Sequence, residues 1–181
     1  MSYRPTEKTE ARKKAQHSLL LQSAMHIVAK NGFQGLTVAA VAERADVAIG
    51  TVYKYFDSKA ALCTEVFHLG TEKEVQQVQL AAFPEEIGSS CKERLLSAVA
   101  TFSERAIEGH RFAYALIAEP VDPMIEIERL NYRRAYADIF EELINEGVQA
   151  GEFCQQDTYI SAAALVGTLA EALLGPIGSS R

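Results

Sequence analysis

Cysteine is scarce in this 181-residue chain: Cys63, Cys91 and Cys154 are three in number and far apart. An odd, dispersed set fits reduced thiols in a cytosol and excludes a disulfide-stapled framework. Long apolar runs are lacking too, so no stretch is expected to supply the roughly 20 residues that cross a bilayer. Residues 1–8 carry charge with no apolar stretch behind it, which argues against a signal peptide. A phosphate-cradling glycine loop, a nucleophile elbow, zinc-ligand spacing and a His-Glu-x-x-His pair are all missing, and His17, His26, His68 and His110 are scattered. Neither an enzyme nor a metal or cofactor site is expected. What is present is the material of a globular core, with apolar residues at 48% and charged residues at 23%.

The net charge of −6 argues at first against a nucleic-acid partner. Its distribution reverses that reading. Residues 1–60 hold nine Lys and Arg against five Asp and Glu, whereas residues 61–181 hold nine against nineteen. A basic head on an acidic body implies that only the head meets a polyanion.

The periodicity predicts an all-α chain. Ala, Leu, Glu, Gln and Arg dominate, and no long stretch alternates with period two. A first helix is expected over residues 9–30, its stripe Leu20, Ala24, Ile27 and Val28 ending at Asn31-Gly32. Thr37 is a suitable N-cap for a short helix that turns Val38, Val41, Ala42 and Ala45 inward. Asp46 and Val47 separate it from a helix over 48–55, and Asp57-Ser58 caps a long helix over 59–82 with Leu62, Val66 and Leu69 on one face. Beyond a linker at 84–90, helices are expected over 91–108, 111–119, 124–150 and 157–174. In the 124–150 helix Leu130, Ala137, Phe140, Ile144 and Val148 keep helical spacing, and Gly175-Pro176 is expected to stop the last one.

Two short helices joined by a tight turn inside a basic segment read as a helix-turn-helix. Gly50 and Thr51 keep the start of its second helix small, so that backbone can approach DNA. Thr51, Tyr53, Lys54 and Tyr55 supply donors, while Val47, Val52 and Phe56 pin the helix to the core. Lys59, in the first turn of the next helix, opposes the macrodipole preference for acids, and a phosphate nearby would explain it.

The stretch Gly35-Leu-Thr-Val-Ala-Ala-Val-Ala-Glu-Arg-Ala-Asp-Val-Ala-Ile-Gly-Thr-Val-Tyr-Lys-Tyr-Phe-Asp-Ser-Lys-Ala-Ala-Leu62 resembles the DNA-binding signature of the TetR family of bacterial transcriptional regulators. The resemblance covers the first third of the chain. It implies an N-terminal three-helix DNA-binding domain over 1–57, and a C-terminal helical domain over 58–181 that binds a small molecule and forms a homodimer on a palindromic double-stranded operator in the cytoplasm, with no role for a membrane. Carried over, Thr37 contacts a phosphate, Thr51, Tyr53 and Tyr55 contact phosphates and base edges, and Lys59 clamps the backbone. Ile49, Gly50 and Lys54 are candidates for sequence discrimination, Ile49 against a thymine methyl and Lys54 at guanine acceptors. Arg4, Lys8, Arg12, Lys13 and Lys14 form either a solvated arm or a further DNA contact.

Two departures from the family pattern fall in the turn. Asp46 stands where Gly is usual, at a small conformational cost. Ala48 stands at a capping Ser and supplies no acceptor, for which Asp46 is expected to substitute in part.

In the body, Phe102, Phe112, Tyr114, Tyr132, Tyr136 and Phe140 are the candidate ligand contacts, with His110, Arg111, Glu119 and Arg133 as polar groups to orient a hydrophobic or amphipathic effector. The pairing surface is expected on Ala162, Ala163, Leu165, Val166, Leu169, Ala170, Leu173 and Leu174. A further C-terminal helix, present in the family, is expected to be missing after Arg181. The leading reading is a ligand-released repressor. An activator, a regulator switched by Cys63 and Cys91 oxidation, and a small-molecule binder with a vestigial head are the alternatives.

Overall fold

The computed structural model describes residues 7–85 and 88–178. Among them lie eight helices: α1 (Glu7–Asn31), α2 (Val38–Arg44), α3 (Ile49–Val52), α4 (Lys59–Ala82), α5 (Cys91–Glu108), α6 (His110–Ile117), α7 (Pro123–Gln149) and α8 (Thr158–Gly178). Local chemistry places most of their ends. Thr37 Oγ1 accepts from Ala40 N–H at 3.1 Å to start α2, and Ser58 Oγ does the same for Ala61 N–H at α4. Ser90 and Glu93 form a reciprocal capping box at α5. Pro123 opens α7 behind the Asp122 cap, where its missing N–H costs nothing.

The buried residues form two main clusters. The first joins Leu20, Ala24 and Val28 of α1 to Leu36, Val41, Val52 and Phe56, then runs on through Leu62, Val66 and Phe67 of α4 to Ala115, Leu116 and Ile125. The second packs the far half of α4, at Val78 and Ala82, against Cys91 and Ala98 of α5, Phe140 and Leu143 of α7, and Ala162 and Val166 of α8. α4 therefore threads both, and the end of α6 is part of the same core as the helix-turn-helix.

Several inward positions differ from the periodicity. Leu69 is exposed, because α4 presents Phe67, Gly70 and Thr71 to its neighbours instead. Leu130 is exposed as well, and the residue buried beside it is Arg129. The helix ends differ too. α3 has helical bonding only over Ile49–Val52; the chain then tightens into i→i+3 turns, Lys54 N–H to Thr51 O and Tyr55 N–H to Val52 O, which deliver Phe56 to the core. Asp46 adopts the positive φ, 52°, expected of the turn. Ala48 supplies no cap to α3, and the Asp46 carboxylate accepts no α3 N–H in its place.

Gly175-Pro176 does not stop α8. The helix continues to Gly178 with Pro176 inside it, because Ile177, 2% exposed, packs with Leu173 against Ala106 and the edge of α6. Against the sequence expectation, α8 is long and apolar enough by length and composition to cross a bilayer. Here one of its faces, Ala162, Val166, Ala170, Leu173 and Ile177, lies against the rest of the bundle. Four of the residues expected to pair subunits, Ala162, Val166, Ala170 and Leu173, are thus spent inside the subunit.

Candidate functional site

The helix-turn-helix is built so that its apolar residues point one way. Val52 and Phe56 are buried and Val47 is partly buried against the same cluster. That orientation leaves Thr37, Ile49, Gly50, Tyr53, Lys54 and Lys59 exposed and Thr51 and Tyr55 half-buried. Ile49 is 50% and Tyr53 52% exposed, high for an aliphatic and an aromatic side chain on one short segment. A Cβ at Gly50 would meet nothing within 4 Å, so nothing inside the protein requires glycine there. A small residue at that point leaves the surface open on its outer side.

Lys54 and Tyr55 also face α1. Together with Glu10, Lys13, Lys14 and His17 they line an open cleft of about 500 Å³. Three ammonium groups against one carboxylate, itself paired with Lys13 at 3.4 Å, make this cleft attractive to a phosphate. Lys8, Arg12, Lys13 and Lys14 are helical residues of α1 rather than a loose arm; Arg4 lies outside the described residues. His17 stacks on Phe56 with ring centroids 5.0 Å apart and holds Glu65 of α4 at 3.0 Å, tying α1 to α4 just behind the cleft.

In the body, a cavity of about 120 Å³ opens between α4, α5, α6, α7 and α8. Phe67, Phe102, Phe112, Leu116, Ile117 and Val166 supply much of its apolar wall, and Thr71, Glu74, Arg105, Arg129, Tyr132, Arg133 and Tyr136 its polar groups. Of the expected contacts, Phe102, Phe112, Tyr132 and Tyr136 line it. Phe140 does not, being wholly buried in the second cluster, and Tyr114 does not, turning to the surface beside Gly178. Arg133 lies on the wall; His110 and Arg111 do not, and Arg111 reaches back to Lys30 O at 3.4 Å.

The polar wall is ordered. Arg105 grips Glu74 through two N–H groups at 2.5 and 2.9 Å, the bidentate geometry that holds both charges in place. Tyr132 O–H sits 2.9 Å from His68 Nδ1, and burial, with Glu72 and Glu128 nearby, pushes its phenol up to about 12. Burial raises the Tyr136 phenol further, so both tyrosines are neutral donors in the cell. Burial also lowers the pKa of Arg129, although Glu126 partly restores it. Glu74, Arg105 and Arg129 were not legible as site residues: each is a charged residue in the middle of a helix, where a solvated face is the ordinary expectation.

Gly70 explains how α6 reaches the cavity. A Cβ there would lie 2.5 Å from Phe112 Cζ, so glycine lets the ring rest directly on α4. Cys63 and Cys91 are buried in different clusters, which removes the geometry of a disulfide between them, and burial raises the Cys63 thiol pKa.

An outward-facing helix-turn-helix in a basic head, fused to a helical body with an internal cavity, defines a DNA-binding regulator that responds to a small molecule. Comparison with known proteins specifies the family. Residues 20–66 match the family model of bacterial regulatory proteins, tetR family, and residues 88–173 match that of the tetracyclin repressor-like C-terminal domain. The chain belongs to the TetR family of transcriptional regulators. It is 24% identical over 162 residues to the fatty acid metabolism regulator protein of Bacillus subtilis, covering 88% of this chain and 82% of that protein. Over 55 residues it is 46% identical to the HTH-type transcriptional repressor KstR of Mycolicibacterium smegmatis, covering 30% of this chain and 26% of that protein. In fold it matches the crystal structure of the regulator FadR from Bacillus subtilis in complex with stearoyl-CoA, with a TM-score of 0.73 at 21% identity over 87% of this chain and 84% of that one.

Proposed function

We propose that this regulator is a cytoplasmic, dimeric repressor that leaves a palindromic operator when a long-chain acyl thioester enters the body. In this reading residues 1–57 are the DNA head and 58–181 the effector and pairing body, with α4 passing between them. The two copies of α3 enter successive major grooves, about 34–36 Å apart. Thr37, Thr51, Tyr53, Tyr55 and Lys59 hold phosphates, while Ile49, Gly50 and Lys54 face the bases.

The observation that carries the effector class is the cavity: an aromatic and aliphatic interior with Arg129 and Arg133 on its wall suits a molecule with an apolar chain and an anionic end. The stearoyl-CoA bound by the Bacillus relative has that form. At about 120 Å³ the cavity is smaller than the roughly 300–1,000 Å³ of a drug-sized ligand site. A long chain must therefore push the walls apart, which is the movement a switch needs. Pairing falls to the outward face of α8. Tyr159 and Ile160 are 56% and 62% exposed, and Ala163, Ala164 and Gly167 continue the same side with a single charge, Glu171, along it.

The test is fluorescence anisotropy of the purified protein on an operator selected from genomic fragments, titrated with stearoyl-CoA. Release by the thioester at constant salt is expected. An operator affinity unchanged by stearoyl-CoA and by shorter acyl thioesters would remove the effector assignment, and sequence-blind binding lost with salt would remove the operator.

A further inference from the structure

The head and body are joined by a contact that bypasses α4. Gly32 ends α1 with φ +69°, and the two N–H groups that follow it point at one carboxylate. Phe33 N–H donates to Glu119 Oε2 at 2.9 Å, and Gln34 N–H donates to Glu119 Oε1 at 3.0 Å. Successive N–H groups of this kind form an anion-binding nest. Glu119 is 7% exposed, and it fits so closely that a Cβ at Gly32 would lie 2.5 Å from Oε2.

Glu119 is itself held from the cavity side. It lies just past the end of α6, where carbonyl groups lack helical partners. Arg129 gathers them: Nη2 donates to Glu119 O at 2.8 Å and to Ala115 O at 3.3 Å, and Nε donates to Leu116 O at 2.8 Å. Its remaining partner is the Glu126 carboxylate. The same guanidinium lines the cavity. One arginine thus touches the effector space and the main chain of the residue whose side chain clasps the head.

We propose that Arg129 and Glu119 are positioning residues that transmit cavity occupancy to the DNA head: an anionic group entering the cavity draws the Arg129 guanidinium from the α6 carbonyls and frees Glu119 from the Phe33–Gln34 nest. A carboxylate or phosphate entering the low-dielectric cavity meets the guanidinium as a full opposite charge and can take two of its N–H groups at once, an attraction that the neutral α6 carbonyls lack and that adds to the pair with Glu126. With the nest emptied, the head keeps the core it shares with α4 and α6 and the His17–Glu65 pair, but loses the two hydrogen bonds that fix the end of α1 on the body, and two heads hold the spacing of a palindrome less firmly. This deepens the effector reading above and rests on it for the identity of the trigger, though the clasp itself does not depend on it.

The experiment follows backbone amide exchange by NMR in the full dimeric protein, together with operator affinity, for wild type, Glu119→Ala and Glu119→Gln. In wild type without effector, Phe33 and Gln34 amides are protected. With saturating stearoyl-CoA they exchange at least about ten-fold faster, while the Ala45 and Phe56 amides of the same head do not change. Glu119→Ala shows the fast exchange without effector and binds operator about ten-fold more weakly, the scale of losing a buried hydrogen-bonded carboxylate. Its further response to stearoyl-CoA is below about two-fold, and Glu119→Gln, which keeps one acceptor, falls between. A merely structural role would leave that ratio of affinities with and without effector unchanged. Release of wild type from the operator with both amides still protected would overturn the proposal, as would a Glu119→Ala protein with wild-type exchange and affinity. Should stearoyl-CoA release nothing, the effector assignment fails, and the effector-free comparison of Glu119→Ala with wild type still decides the clasp.

Discussion

Gly70→Ala sets two known effects against each other. In mid-helix the change favours α4 by about 1 kcal/mol from propensity alone. The new methyl, however, would stand 2.5 Å from Phe112 Cζ and 2.9 Å from its Cε1, while carbon atoms prefer about 3.5–4.0 Å. The ring must retreat by about 1 Å, and overpacking of this sort costs about 1–3 kcal/mol when nothing gives way. Phe112 lines the cavity, so the free space behind it is the effector space itself. The expected result is a folded protein, between unchanged and about 2 kcal/mol less stable, whose cavity is partly filled by its own side chain. Its affinity for an acyl effector should fall about ten-fold or more, whereas effector-free operator affinity stays near wild type, since no head residue moves. Urea denaturation and an effector titration against labelled operator read the two quantities. A variant stabilised by the full helix-propensity gain, with effector affinity intact, would refute the claim that α6 rests on α4 through this ring.

Further predictions follow from other parts of the molecule. Lys14→Ala should weaken operator binding and flatten its salt dependence by about one unit of log–log slope per subunit, measured by anisotropy across ionic strengths, if the cleft it lines with Lys13 and Lys54 holds a phosphate. Glu152 accepts from Cys91 and Lys92 N–H groups at the start of α5, which holds its carboxyl below the ordinary value of 4.5. A depressed folded-state pKa gives stability that is present above the unfolded value and lost as pH falls through the folded one. The Tm gap between wild type and Glu152→Gln should therefore persist at neutral pH and close in acid below 4.5. Native alkylation followed by mass spectrometry should label exposed Cys154 and spare buried Cys63 and Cys91; operator affinity that changed with reductant would contradict this.

The helix-turn-helix was open to reading because its determinants are local. Thr37 caps the helix that begins at Val38, Asp46 tolerates the left-handed turn, and Val52 and Phe56 bury one side so that Ile49, Tyr53 and Lys54 are left on the other. Nearly every helix boundary followed from caps and breakers of the same short range. The cavity was legible only in part. Phe102, Phe112, Tyr132 and Tyr136 reach it while Phe140 and Tyr114 do not, because aromatic periodicity marks a buried side of a helix without saying which neighbour fills the space opposite.

What the sequence determined by itself was therefore the class of fold, the basic head with its outward donors, and the thiols' lack of clustering, all carried by composition, charge asymmetry and contacts within a few residues. Tertiary structure alone decided three things. It carried α8 through Pro176, since burial of Ile177 outweighs the missing N–H bond. It put Arg129 inside where Leu130 had the better claim, since the open carbonyls of α6 offered the guanidinium hydrogen bonds that a leucine cannot use. And it brought Glu119 to Phe33 and Gln34, residues separated by 86 and 85 positions along the chain. No local pattern encodes such a pair, because a carboxylate finds two N–H donors only after the helices between them have packed.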